Sequence, residues 1–123
     1  MKLRFIKPTE LDRDLKATIN KTGNLEFTVE AGEKLGLAID KGLHIAVNAE
    51  NTGDTNLYVI VSNTHREGQT YRISKADGYF FVTTKDLFDN LGYDYSNPDN
   101  AIIYDIKETT VEGTSMYAFK QRT

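Results

Sequence analysis

Cysteine and tryptophan are absent from this 123-residue chain, and proline occurs only twice. Without cysteine there is no disulfide scaffold, no thiolate metal site and no thiol nucleophile. No run approaches the ~20 apolar residues of a membrane-spanning helix. Residues 1–8 (MKLRFIKP) lack the apolar stretch of a secretory signal. These absences point to a single soluble domain, residues 1–123, with a cytoplasmic address and no membrane partner. At this length one core can form, and there is no room for a second domain of ordinary size.

An excess of one charge is missing too. Fifteen Lys and Arg stand against 18 Asp and Glu, a net charge of -3. A surface that attracts phosphate everywhere is thereby excluded, but a local basic face is not. Residues 1–23 carry Lys2, Arg4, Lys7, Arg13, Lys16 and Lys21 against Glu10, Asp12 and Asp14, so this stretch is +3 and the remainder -6.

What the chain does have is apolar alternation at period two, the spacing of half-buried strands. Leu15, Ala17 and Ile19 alternate with Lys16, Thr18 and Asn20; after Lys21-Thr22-Gly23-Asn24, Leu25, Phe27 and Val29 alternate with Glu26, Thr28 and Glu30. This predicts a hairpin. Ala31 to Leu35 then predicts a helical turn stopped by Gly36. Leu43, Ile45 and Val47 predict a third strand. Leu57-Tyr58-Val59-Ile60-Val61, apolar on both faces, belongs inside a sheet or barrel rather than at an edge.

The second half repeats these signals. Tyr71 and Ile73 lead to Lys75-Ala76-Asp77-Gly78, whose Asp-Gly pair marks a hairpin turn into Tyr79-Phe80-Phe81-Val82. Thr83 or Thr84 caps a helix starting at Lys85, with Asp86 three residues after Thr83 as in a capping box. Leu87, Phe88 and Leu91 share one side of that helix, and Gly92 ends it. Residues 96–100 form a turn before a strand over 101–106. Residues 107–123 are either a tail or a last hairpin around Glu112-Gly113 that uses Val111, Tyr117 and Phe119.

In order, Ile19, Lys21, Gly23, Phe27, Leu35, Gly36 and Ile45 align with Ile73, Lys75, Gly78, Phe81, Leu91, Gly92 and Ile102. The expected fold is mainly β with one or two short helices, an α+β fold. It forms a small barrel or sheet from two similar units of β-hairpin, helical turn and strand, approximately 15–47 and 70–106. INKTGNLEFTVEAGEKLGLAIDKGLHIAV, and ISKADGYFFVTTKDLFDNLGYDY followed by AIIYDI, resemble the hairpin, helical turn, Leu-Gly and hairpin unit of the AbrB-type (SpoVT-AbrB) transition-state regulators, the swapped-hairpin DNA-binding domains of bacterial type. The resemblance implies two interleaved units in one chain and a basic surface toward DNA. Lys16 and Lys21 in the first unit, with Arg72 and Lys75 in the second, would meet phosphates.

Side chains that could carry chemistry are few. His44 lies on a strand and His65 in a charged loop beside Arg66 and Glu67, neither in a ligand spacing with another His. Asp86, Asp89, Asp94, Asp99 and Asp105 do not match a calcium loop, and the glycines lack phosphate-loop spacing. No metal site, cofactor or catalytic constellation is expected, and the chain does not read as an enzyme. Tyr79 and Phe81 share one face of a strand, where they could stack bases beside Arg72 and Lys75 or form an interface. The leading expectation is a non-enzymatic binding module for DNA or single-stranded nucleic acid, acting in transcription regulation. The alternative is a structural or protein-interaction domain that forms a homodimer through an aromatic and β-branched face. An enzyme built around either histidine ranks last.

Overall fold

The structure, a computed structural model, describes residues 1–5, 15–51, 53–97 and 101–122. The charges expected at Lys7, Glu10, Asp12, Arg13 and Asp14, the residue Asp99 and the 98–100 part of the expected turn lie outside the described residues.

Among the described residues eight strands form one antiparallel ring. They are β1 (Lys16–Ile19), β2 (Leu25–Phe27), β3 (Gly42–Ala46), β4 (Leu57–Ser62), β5 (Tyr71–Ala76), β6 (Tyr79–Val82), β7 (Ile102–Val111) and β8 (Thr114–Gln121). Helix α1 (Val29–Leu35) follows β2 and α2 (Lys85–Asn90) follows β6. The order around the barrel is β1-β2-β6-β5-β3-β4-β8-β7, closed by β7 against β1. Closure removes the free edges that would invite further strands. Among the described residues no helix is long and apolar enough to cross a membrane.

The period-two signal decides what fills the ring. Ala17, Leu25, Leu43, Leu57, Val59, Ile73, Val82, Tyr104 and Phe119 point inward and are at most 1% exposed. The apolar run over β4 divides as its place inside the sheet requires, with Leu57 and Val59 buried and Tyr58 and Ile60 half-buried outside. It lies between β3 and β8.

Four expectations need correction. Helix α1 begins at Val29 rather than Ala31, because the Thr28 hydroxyl accepts a hydrogen bond from the Ala31 backbone N–H at 3.2 Å and caps a turn that the alternation assigned to strand. Strand β3 ends at Ala46, which leaves Val47 outside it and 45% exposed. At α2 the N-cap is Thr84 and no capping box forms: its buried hydroxyl donates instead to the Gly23 carbonyl at 2.9 Å. Finally, Phe27 and Phe81 were aligned, yet Phe27 is 3% exposed in the core while Phe81 lies on the outside, opposite Glu26 and Ser74.

Residues 107–121 are hairpin, not tail. Strand β7 runs to Val111 and turns at Glu112 (φ 50°) and Gly113 (φ 80°) into β8. Both central residues have positive φ, the twist that suits a two-residue hairpin loop.

Inside the barrel the hydroxyl of fully buried Tyr104 has no hydrogen-bond partner at ordinary distance among the described residues. Burial, and then the neighbouring Tyr93, pushes its phenol far above the ordinary range. An unmade hydrogen bond in the core is a cost that phenylalanine would not carry. Tyr104→Phe should therefore unfold at equal or higher denaturant, with a gain of up to about 1 kcal/mol; a loss of that size in an equilibrium melt would contradict the assignment.

Candidate nucleic-acid interface

The register places the expected site residues other than Lys75 on one side of the barrel, the outer face formed by β1, β2, β6 and β5. Because Ala17, Leu25, Val82 and Ile73 point inward, their neighbours Lys16, Thr18, Glu26, Phe81, Ser74 and Arg72 point outward. One row across the face reads Thr18, Glu26, Phe81, Ser74.

Lys16 and Arg72 sit on the outermost strands, which lie three inter-strand spacings, or about 14 Å, apart. Lys21 occupies the exposed β1–β2 turn, and Lys75 lies at the end of β5 beside the β5–β6 turn. Five residues separate Lys16 from Lys21 and three separate Arg72 from Lys75, roughly 16 Å and 10 Å at strand rise. Lys21 and Arg72 lie toward one end of the face, Lys16 and Lys75 toward the other. Lys16, Lys21 and Arg72 thus border a patch that holds Tyr79 and Phe81, while Lys75, which shares the inward parity of Ile73, stands over Phe80 at the end of the barrel.

Each cation is held differently. Gly23, at φ +86°, lets the Lys21 turn press onto the second half of the chain: a Cβ there would lie 2.9 Å from the Tyr95 ring and 3.0 Å from Lys85 Cγ. Lys75 stands over Phe80, with its Nζ 5.3 Å from the ring centre. Phe80 in turn lies against α1, where a Cβ on Gly32 would come within 2.9 Å of the ring. So the first hairpin leans on the segment at α2, and the second leans on α1. Among the described residues no ion pair reaches Lys16 or Lys21.

Arg72 belongs to a bracket that no regular spacing predicts. Its Nη2 lies 3.5 Å from Glu67 Oε1, which also meets His65 Nε2 at 3.0 Å. His65 Nδ1 meets Thr70 Oγ1 at 2.9 Å, and that oxygen accepts the Arg66 backbone N–H at 2.9 Å. The hydrogen bond from His65, then its charge, hold the Glu67 carboxyl below the usual carboxylate range. Carboxylate, imidazole and hydroxyl are in line, but Thr70 is pressed against Gly42, where a Cβ would lie 2.7 Å from Thr70 Cβ. The chain of contacts braces the 62–70 loop. His44 stands apart, exposed on β3 opposite Ile60.

Of the acids, Asp89 binds Lys85 at 2.7 Å and the Tyr95 hydroxyl, and Asp105 pairs with Arg122. Among the described residues no three His, Asp or Glu side chains converge as metal ligands.

Comparisons with protein-family models, curated proteins and solved structures find no match. The chemistry of the face has to speak for itself. Lys16, Lys21 and Arg72 flank an aromatic pair on the outer surface, with Glu26 between β1 and β6 held by Asn20 Nδ2 at 2.7 Å. Such a surface can meet phosphates at its margin.

Proposed function

We propose that this chain is a non-enzymatic nucleic-acid-binding module of the cytoplasm, a tandem swapped-hairpin domain of AbrB type whose face over β1, β2, β6 and β5 meets the DNA backbone. The observation that carries the reading is a symmetry in the strand pairings. Exchanging β1, β2, β3 and β4 for β5, β6, β7 and β8 turns the ring order into itself. The registers follow the same exchange. Shifting β1 by 54 residues and β3 by 61 carries Ala17↔Tyr104 onto Leu43↔Tyr71, and Thr18↔Ile103 onto Gly42↔Arg72. The first shift keeps Lys21 matched to Lys75, while the second matches Ile45 to Ile106 in place of Ile102. Each hairpin leaning on the other half's helix fits the same exchange.

Related by that exchange, Lys21 and Lys75 present equivalent cations at opposite ends of the β2–β6 pair. A ligand with regularly spaced negative charge, such as duplex DNA, fits two equivalent basic turns. Lys16 and Arg72 add a cation at each flank.

The test is a titration with a mixed-sequence duplex of about 20 base pairs, and with its single strand, at roughly 50 and 200 mM salt. Four phosphate contacts give a slope of log affinity against log salt near -3.6, a loss of about 100-fold across that range. Lys21→Gln/Lys75→Gln should bring the slope down to about half and weaken binding to every sequence alike. Absence of binding at the lower salt, or binding indifferent to salt, would remove the proposal.

A further inference from the structure

The outer pair Tyr79 and Phe81 lies outside the core cluster. Its inward neighbours, Phe80 and Val82, join the core or its margin, whereas Tyr79 and Phe81 stand half-exposed on the barrel exterior with ring centres 6.4 Å apart at 52°. Their cross-strand partners on β5 are Ala76 and Ser74, too small to cover a ring. The Tyr79 hydroxyl makes no hydrogen bond among the described residues. Two tilted, partly exposed aromatic rings therefore lie in the patch bordered by Lys16, Lys21 and Arg72.

The geometry points to unpaired bases of a single-stranded nucleic acid as the occupant of this shelf. Lys16, Lys21 and Arg72 around the rings make the surroundings complementary to a phosphate chain. Paired bases present only their edges in the grooves, so a duplex could use the cations and leave the rings unused; an unpaired base can lay its face on Phe81 or Tyr79. Glu26, directly opposite Phe81, disfavours a phosphate at the centre of the face and leaves the backbone to the margin. This inference rests on the nucleic-acid reading above and adds to it a preference for strands whose bases are free.

Tyr79→Leu and Phe81→Leu keep apolar bulk on the outside and remove the ring faces. Wild type and both variants are titrated with a thymidine oligonucleotide of about 12 residues and with a duplex of matched length, after thermal melts show that each variant folds. A strand carrying 2-aminopurine reports stacking by quenching. Each variant should bind the single strand at least about five-fold more weakly. Duplex affinity should stay within about two-fold of wild type, and the quenching seen with wild type should fall. If single-strand affinity is unchanged, or falls in step with duplex affinity, the shelf does not stack bases, while salt-dependent duplex binding keeps the phosphate contacts. If wild type binds neither nucleic acid, both proposals go. A concentration-dependent dimer in sedimentation that both variants dissolve, without single-strand binding, would assign the rings to a second copy of the chain and overturn the inference. Should a leucine variant fail to fold, quenching of 2-aminopurine by wild type alone decides: no quenching at saturation refutes stacking.

Discussion

Phe119→Ala should destabilise the protein by about 3–5 kcal/mol, a large part of the ~5–15 kcal/mol that holds a domain of this kind together. The ring is fully buried and meets Phe27 edge-on at 5.9 Å and Tyr104 at 6.3 Å. Its strand partners are Leu57 on β4 and Ile106 on β7, so four strands meet around one side chain. Truncation loses the transfer energy of the ring and leaves a void that a closed barrel cannot collapse to fill, since every strand is tied to two neighbours. Equilibrium denaturation should show a lower midpoint with little change in slope. Phe119→Leu, which keeps most of the volume, should cost less than half as much. A loss below about 1 kcal/mol for the alanine variant would mean that β8 contributes little to closing the ring.

That residue lies in the stretch whose sequence fits both a tail and a hairpin, and the reason is instructive. Val111, Tyr117 and Phe119 carry a strand-like pattern, and Glu112-Gly113 can take two positive φ values, but the partner that makes Phe119 a core residue is Leu57, 62 positions away. Period-two alternation says which side chains face inward and nothing about which strand lies alongside. The same limit applies to β2 against β6. Local turns were readable because their chemistry is local: Asp77 and Gly78 adopt φ 50° and 86°, as an Asp-Gly hairpin turn demands. The start of α1 was hidden because Val29 continues the alternation of Leu25 and Phe27. There the Thr28 cap prevails over the pattern, and Val29 turns out 52% exposed.

The site divides along the same line. Lys21 is legible as a turn lysine, whereas Lys75, expected in the Asp77-Gly78 turn, is still paired to Phe80 within β5; the outward direction of Lys16 and Arg72 follows from the alternation around Ala17 and Ile73. Their meeting on one face needs the β2–β6 pairing, which no local signal gives. The brace of Glu67, His65 and Thr70 behind Arg72 is invisible for a different reason. Its donors and acceptors sit at irregular spacing in a polar loop, where any of several residues could have turned inward.

Gly42→Val should cost about 3 kcal/mol and at the same time loosen this brace. Gly42 is buried where β3 passes beneath the 62–70 loop, with β3 pairing Ser62 on one side and Arg72 on the other. A Cβ there would overlap the Thr70 hydroxyl, lie 2.7 Å from Thr70 Cβ and 3.2 Å from the His65 Cα. The last of these is backbone, which cannot rotate away as a side-chain tip can. Alanine already forces the loop outward, and valine adds two methyl groups to the same space. The displaced Thr70 would release His65 Nδ1 and the Arg66 N–H together, and Glu67 would lose the imidazole that holds its carboxyl in place. The depressed Glu67 titration, followed by NMR against pH, should then rise toward the ordinary carboxylate range. In the folded wild type that depression stabilises the protein at neutral pH, and the contribution fades as pH falls through the Glu67 pKa. In Gly42→Val the acid-side loss should be smaller, because less of that contribution is present to lose. A variant with wild-type stability and an unmoved Glu67 titration would show that the loop is not seated against β3 and that Arg72 gains no support from it.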